Sequence, residues 1–252
     1  MKRNVIMFMA LFGLVIFSCN GQRPAKSKVP AGFKSIFNGK SLKGWEGDPT
    51  YWRVENGVII GELTEDTPLK ANTFLIWEGG KPADFELKGE FRITERGNSG
   101  IQYRSDKVAD VPFALRGYQA DIDGRNAYTG QNYEERKRTT LAYRGQKTKI
   151  NPQPGGGNPR DYVERNAWKG LEVMEELGDR DALKDKIKAE DWNTFHLVIK
   201  GNRLQHYING ILMSDVTDED PVNRAESGYL GIQVHVGPPM KVELKNLYLK
   251  EL

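Results

Sequence analysis

The sequence predicts an all-β sandwich or jelly roll. Three observations carry this: short segments that alternate apolar and polar residues, Asn-Gly or Gly-Asn pairs between several of them, and a single stretch that breaks the pattern. Roughly ten such segments occur, at the spacing usual for sandwiches and jelly rolls.

Trp52-Arg53-Val54 passes through Glu55-Asn56-Gly57 into Val58-Ile59-Ile60, and Asn-Gly between two such runs marks a hairpin. Residues 85–93 put Phe85, Leu87, Phe91 and Ile93 on one face and Glu86, Lys88, Glu90 and Arg92 on the other, the ordinary signature of a half-solvated strand. Residues 99–104 and 117–123 read as two more strands. Residues 194–200 turn at Gly201-Asn202 into 204–208, which Asn209-Gly210 closes; 229–236 and 242–249 finish the chain. The exception is 145–190, which is polar and opens with Pro152-Gln153-Pro154 and a triple glycine. Within it, Val163, Ala167, Leu171 and Met174 predict one amphipathic helix over 162–177. This is a partly helical insertion between strands, either a wall of a site or a plain surface appendage.

The first residues have a different character. Lys2 and Arg3 precede an apolar run from Val5 to Phe17, interrupted only by Gly13, and then Ser18-Cys19. That is the make-up of a secretory signal peptide, and the run is too short to span a bilayer, which takes about 20 residues. Ile16-Phe17-Ser18-Cys19 resembles the lipobox of bacterial lipoproteins. The expected organisation is therefore a lipoprotein signal peptide over 1–19 ending at a lipidated Cys19, a linker over 20–31, and one domain over 32–252. The product is exported and meets the membrane only through its anchor, on the periplasmic or outer-membrane face. Cys19 is the only cysteine, so the domain has no disulfide, thiol nucleophile or thiolate-bound metal. About 220 residues remain after processing, which suits one all-β domain. The formal charge of +3 includes Lys2 and Arg3, so the mature protein is nearly neutral and nothing favours nucleic acid.

Side chains two apart share a strand face. Gln119, Asp121 and Asp123 point one way, with Tyr118, Ala120 and Ile122 opposite; Gln102 and Arg104 share a face, as do Gln233 and His235. Brought together, these faces form a platform of amides, carboxylates, a guanidinium and an imidazole, chemistry that suits sugar hydroxyls. The plainer account is a solvated sheet face, but such faces favour Lys, Glu and Thr, as residues 85–93 do. Asp121 and Asp123 are also candidates to hold a divalent cation through oxygen, although two carboxylates on a strand define no metal loop. No zinc spacing, phosphate-binding glycine motif or nucleophile elbow is present. His206 shares its face with Leu204 and Ile208 and reads as a core or rim histidine. Glu134 and Glu135 lie in the charged run Glu-Glu-Arg-Lys-Arg, either solvated surface or a base held near arginines.

Several segments, in order, resemble one family. They are Phe33-Lys34-Ser35-Ile36-Phe37-Asn38-Gly39-Lys40 with Leu42-Lys43-Gly44-Trp45, then residues 52–57, Asp84-Phe85-Glu86-Leu87 with Glu90-Phe91, Gly97-Asn98-Ser99-Gly100-Ile101, Gly117-Tyr118-Gln119, and the closing 231–252. Together they are similar to the 3-keto-disaccharide hydrolase domain family. The resemblance implies a concanavalin A-like jelly roll that cleaves glycosides already oxidised at C3, by elimination across C2 and C1 and then hydration. It calls for a base near C2, a cation or hydrogen-bond donor at the C3 oxygen, and a proton donor for the leaving oxygen. The family usually has glutamate where Gln119 stands, and glutamine is no base, so that role passes to Asp121 or Asp123, or catalysis has moved or been lost. His235 matches the histidine of a late family phrase, here Ile232-Gln233-Val234-His235-Val236-Gly237. On this basis Asp121 or His235 is the expected base or acid, and Arg104 the partner of the enolate oxygen. Gln102, Gln119, Asp123, Glu134 and Gln233 are expected to contact substrate. The alternatives are a non-catalytic carbohydrate-binding lipoprotein on the same fold, and an envelope protein whose polar face meets another protein.

Overall fold

A computed structural model describes residues 28–154 and 157–252. The leader, Cys19 and most of the expected linker lie outside the described residues. The domain is an all-β sandwich of two sheets. The ten-stranded first sheet runs Leu171–Glu176, Gln146–Ile150, Ile211–Asp218, Arg203–Ile208, Asn193–Lys200, Phe85–Ile93, Met240–Glu251, Val58–Leu63 and Trp52–Glu55, with Lys34–Ser35 also paired to Met240–Glu251. The nine-stranded second sheet runs Val163–Glu164, Ala167–Trp168, Thr139–Ala142, Asn132–Glu135, Leu115–Asp123, Asn98–Lys107, Tyr229–Val234, Thr73–Trp77 and Trp45–Glu46. The short edge strands were beyond the reach of the alternation pattern.

The expected hairpins form. Asn56 and Gly57 have φ of 50° and 83°, and Asn209 and Gly210 have 51° and 79°, the left-handed pair that a tight hairpin turn needs. Phe85–Ile93 buries its aromatic and aliphatic face and leaves Glu86, Lys88, Glu90 and Arg92 part-exposed, as its alternation requires. Between the sheets lie Phe85, Phe91, Leu197, Leu204, Ile232, Val234 and Leu244, all nearly inaccessible. Gly61 is a packing necessity, since a Cβ there would sit 2.5 Å from the Trp52 ring.

Residues 145–190 depart from expectation: no helix occupies 162–177. A 3-10 turn at Pro159–Tyr162 leads to the paired strands Val163–Glu164 and Ala167–Trp168, turned by Arg165 and Asn166 at φ of 50° and 60°. Leu171–Glu176 then pairs antiparallel with Gln146–Ile150, and a short helix follows at Arg180–Lys184. Val163, Ala167 and Leu171 are only part-buried and Met174 is 53% exposed, so the apolar residues that suggested a helix share no buried face. Sheet-edge hydrogen bonding overrides the weak helical period. The segment lengthens both sheets at the same side of the sandwich.

Two polar networks interrupt the core. The Tyr103 hydroxyl meets His206 Nε2 at 2.9 Å and accepts from Asn132 Nδ2 at 3.0 Å; burial pushes the His206 pKa down to about 4, so the ring is neutral. As its neighbours suggested, His206 is a core residue. Nearby, Arg138 donates to Glu134 (2.5 Å), to Asp218 (2.6 Å) and to Asp220 (3.3 Å), all with inaccessible side chains. Tyr118 donates to Asp218 at 2.6 Å, and Lys137 meets Glu134 at 3.0 Å. Burial alone opposes ionisation of Glu134, but Arg138 and Lys137 outweigh it and hold the carboxyl below its usual range. Replacing Arg138 by leucine strands buried carboxylates without their cation, so chemical denaturation is expected to show a loss of about 3–5 kcal/mol.

Candidate functional site

The polar residues of interest lie on the outer face of the second sheet. In Leu115–Asp123, Tyr118 and Ile122 pack inward, so Gly117, Gln119, Asp121 and Asp123 point outward. Gly100 lies opposite Asp121, Gln102 opposite Gln119, and Tyr133 opposite Gln119 on the other side. Gln233 lies opposite Phe74 on the same face.

An outer sheet face is ordinarily wet, yet Gln102, Gln119, Asp121 and Gln233 are at most 6% exposed. Strand twist supplies the cause. Each step across a sheet rotates the strands by about 20°, which lifts opposite corners of one face toward each other. Asn132–Glu135 and Thr73–Trp77 lie four steps apart, yet Asn72, just before the latter, donates to Glu135 Oε1 at 3.1 Å. The Asn72 side-chain Oδ1 in turn accepts from the Val236 N–H at 2.9 Å. At the far end, residues 108–114 cross over to Thr73–Trp77, where the Phe74 N–H donates to the Phe113 carbonyl at 2.8 Å. Leu115 fills the space over Gly231 there and joins Phe74 and Ile76 in a small apolar cluster. The polar row is thus roofed.

Under that roof runs a chain of hydrogen bonds. Ser105 Oγ donates to Gln102 Oε1 (2.7 Å), Gln102 Nε2 to Gln119 Oε1 (2.8 Å), and Gln119 Nε2 to Asp121 Oδ1 (2.6 Å). Gln131 Nε2 donates to the other Asp121 oxygen at 2.5 Å. The carboxylate can only accept, so it fixes which way each amide faces. Gly100 makes the row possible, because a Cβ there would lie 2.4 Å from the Gln119 side chain. Burial pushes the Asp121 pKa up to about 7; the two glutamine donors oppose this, and Asp123 and Glu135 add to it. Both amide atoms of Gln233, Gln131 Oε1 and Thr140 Oγ1 are buried without a partner among the described residues. Buried polar atoms rarely stay unpaired, so they mark where water or a polar ligand docks. Tyr133 is raised by burial and by Glu135, against a hydrogen bond from Arg160, which the 3-10 turn of the insertion brings to this face.

Two expected site residues lie elsewhere. Arg104 does not share a face with Gln102: the ladder shifts between Tyr103 and Asp106, and Arg104 sits at φ 42° in that irregularity. Its guanidinium is spent on the Ala83, Gly201 and Ala225 carbonyls and on Asp84. Glu134 points between the sheets into the Arg138 network, and it is Glu135 that faces outward. Asp123 is outward, but its oxygens accept the Ala127, Tyr128 and Thr129 N–H groups at 2.7–2.9 Å and shape the loop that carries Gln131. Each oxygen of Asp121 and of Asp123 already accepts at least one hydrogen bond, and two carboxylates on one strand make no cage for a divalent cation. Nor do the described residues hold any other group of three or more His, Cys, Asp and Glu suited to a metal. His235 lies one residue beyond Tyr229–Val234, level with Asn98 if the ladder is extended, with Nδ1 2.5 Å from the Val236 carbonyl.

Gln131, Tyr133, Asn72 and Arg160 escaped the sequence reading. The alternation rule exposed Tyr133 only once Glu134 and Glu135 were assigned to faces; the other three sit off the strands. A cavity of ≈ 370 Å³ opens beyond Asp121, lined by Arg96, Asn98, Asp123, Arg125, Tyr128 and Pro238 among others.

Because the folded carboxyl holds its proton more tightly than the unfolded one, Asp121 opposes folding increasingly as pH rises from 3.8 to about 7. A carboxyl-carbon NMR titration is expected to find its midpoint near 7. Gln131→Leu removes a donor that favours the ionised form and is expected to move that midpoint higher still.

No curated protein matches the chain. Among solved structures it is similar to a provisionally named glycosyl hydrolase from Parabacteroides distasonis ATCC 8503, at 19% identity and TM-score 0.53, over 88% of this chain and 94% of that one. It is also similar to the carbohydrate-binding module CBM66 from Bacillus subtilis, at 16% identity and TM-score 0.50, over 82% and 95%. At these identities the likeness shows the fold, a concanavalin A-like jelly roll. The model of the 3-keto-alpha-glucoside-1,2-lyase-like domain matches residues 32–250, and the chain belongs to that family.

Proposed function

We propose that this protein cleaves 3-keto glucosides by elimination, with Asp121 as the base. The observation that carries this is a buried carboxylate with a proton affinity near neutrality, held by Gln119 and Gln131 among unsatisfied polar groups. Asp121 takes the C2 proton, which the neighbouring C3 ketone acidifies. The C–H electron pair forms the enolate, whose charge rests on the C3 oxygen, and its collapse breaks the C1–O bond. The leaving oxygen carries away that electron pair and takes up a proton, and the sugar is left with a C1–C2 double bond. Water then adds, hydroxyl to C1 and proton to C2, giving net hydrolysis.

Tyr133, hydrogen-bonded by Arg160, takes the place expected of Arg104 at the enolate oxygen. His235, at the open end with Nε2 unpartnered among the described residues, faces the side from which the leaving group departs. Gln102 orients Gln119, while Gln233 offers both an acceptor and a donor to sugar hydroxyls.

Purified protein is expected to release the aglycone from a 3-keto glucoside. Its kcat/KM should rise with pH and level off above about 7, as a base that must lose its proton requires. Asp121→Asn is expected to lower kcat about a hundredfold or more with the melting temperature retained. Binding without release would make this a carbohydrate-binding module instead, and undiminished release by Asp121→Asn would remove Asp121 from the mechanism.

We infer from the leader that the domain works at the cell envelope, tethered through Cys19. Labelling of growing cells with a fatty-acid analogue is expected to mark the wild-type chain and not Cys19→Ser.

A further inference from the structure

We propose that the cavity beyond Asp121 is a subsite for the leaving sugar, with Tyr128 as its stacking platform. This rests on the reading above, in which the oxidised ring lies against Asp121, Tyr133 and Gln233. Asn98 and Asp123, in the floor of the cavity, are the next outward pair along the ladder from Gly100 and Asp121. Two residues along a strand is about 7 Å, so this floor lies one sugar ring further along the same face. The Asn72–Glu135 bond and the crossing at residues 108–114 cover parts of the same face, and the cavity is the opening beside Asp123 through which a departing group would leave.

The lining suits a pyranose. Tyr128 is 46% exposed, unusual for an aromatic on so constrained a loop. Asp123 accepts three successive N–H groups of that loop, including Tyr128's own. Arg144 clamps the Asn126 and Thr129 carbonyls at 2.9 and 2.8 Å, and Arg180 holds the Ala127 carbonyl at 3.0 Å. The ring is therefore presented rigidly, and little ordering entropy is lost when a sugar face lies against it. Around it stand hydrogen-bonding groups that the fold does not consume. The Arg96 guanidinium and the Asn98 amide have no partner among the described residues, and Arg125 has only Glu95 at 3.9 Å. A volume of ≈ 370 Å³ falls within the range of small-molecule sites. Mixed N–H donors and the carboxylates of Glu95 and Asp123 match the hydroxyls of a neutral sugar better than an anion.

The test compares a 3-keto disaccharide, glucosyl-glucose oxidised on its non-reducing ring, with methyl 3-keto-glucoside. Tyr128→Ala is expected to raise KM for the disaccharide roughly fivefold and to act less on the methyl glycoside, so that the ratio of their kcat/KM values falls. Tyr128→Phe, which keeps the stacking face, should restore the ratio. An unchanged ratio, or an equal loss on both substrates, overturns the subsite. In parallel, saturation-transfer NMR with glucose is expected to show contact with wild type that Tyr128→Ala loses. If wild type cleaves neither substrate, the elimination reading fails and the NMR comparison alone decides. Glucose signal independent of Tyr128, or no signal, then overturns this proposal as well.

Discussion

The hydrogen bond between Asn72 and Glu135 joins two strands that four ladder steps hold apart, and the character of the second sheet follows from it. Without that closure the outer face is an open, hydrated surface, where a carboxylate titrates near its ordinary value and amides bond to water. With it, the face is roofed, and desolvation becomes the largest influence on Asp121. The same closure explains why residues placed by alternation on the solvent side are as inaccessible as core residues.

The strand Leu115–Asp123 therefore carries two buried polar systems, back to back. Inward, Tyr118 belongs to the network in which Arg138 and Lys137 offset three carboxylates. Outward, Gln119 and Asp121 belong to a row with no cation bonded directly to the carboxylate. The contrast is instructive, since both are removed from water. Glu134 is held ionised by its cations, whereas Asp121 has only amide donors and stays near the balance point between its two forms. Stability is the natural use of the first arrangement, and proton exchange of the second.

Much of this was legible in the chain. Alternation along residues 117–123 separated Tyr118 from Asp121 correctly, and the two Asn-Gly turns placed their hairpins. Arg104 misled because alternation assumes an unbroken ladder, and the irregularity after Tyr103 leaves no local mark that a period-two reading can detect. Glu134 misled because a charged run looks solvated until tertiary pairing supplies Arg138 with Asp218 and Asp220. The insertion misled because strands added at a sheet edge owe more to a neighbour's free N–H and C=O groups than to their own periodicity. Gln131 and Asn72 are loop residues brought in by long-range geometry, which no local pattern encodes.

The row from Ser105 to Asp121 also has a direction. Every amide in it receives on its oxygen and gives from its nitrogen, and the ionised carboxylate at the end imposes that order. When Asp121 takes a proton, the obligatory acceptor is gone, and the reason for Gln119 to face it weakens, then that for Gln102 to face Gln119. A proton gained at the centre of the face is thus felt at a serine on the neighbouring strand, through side chains that never themselves titrate.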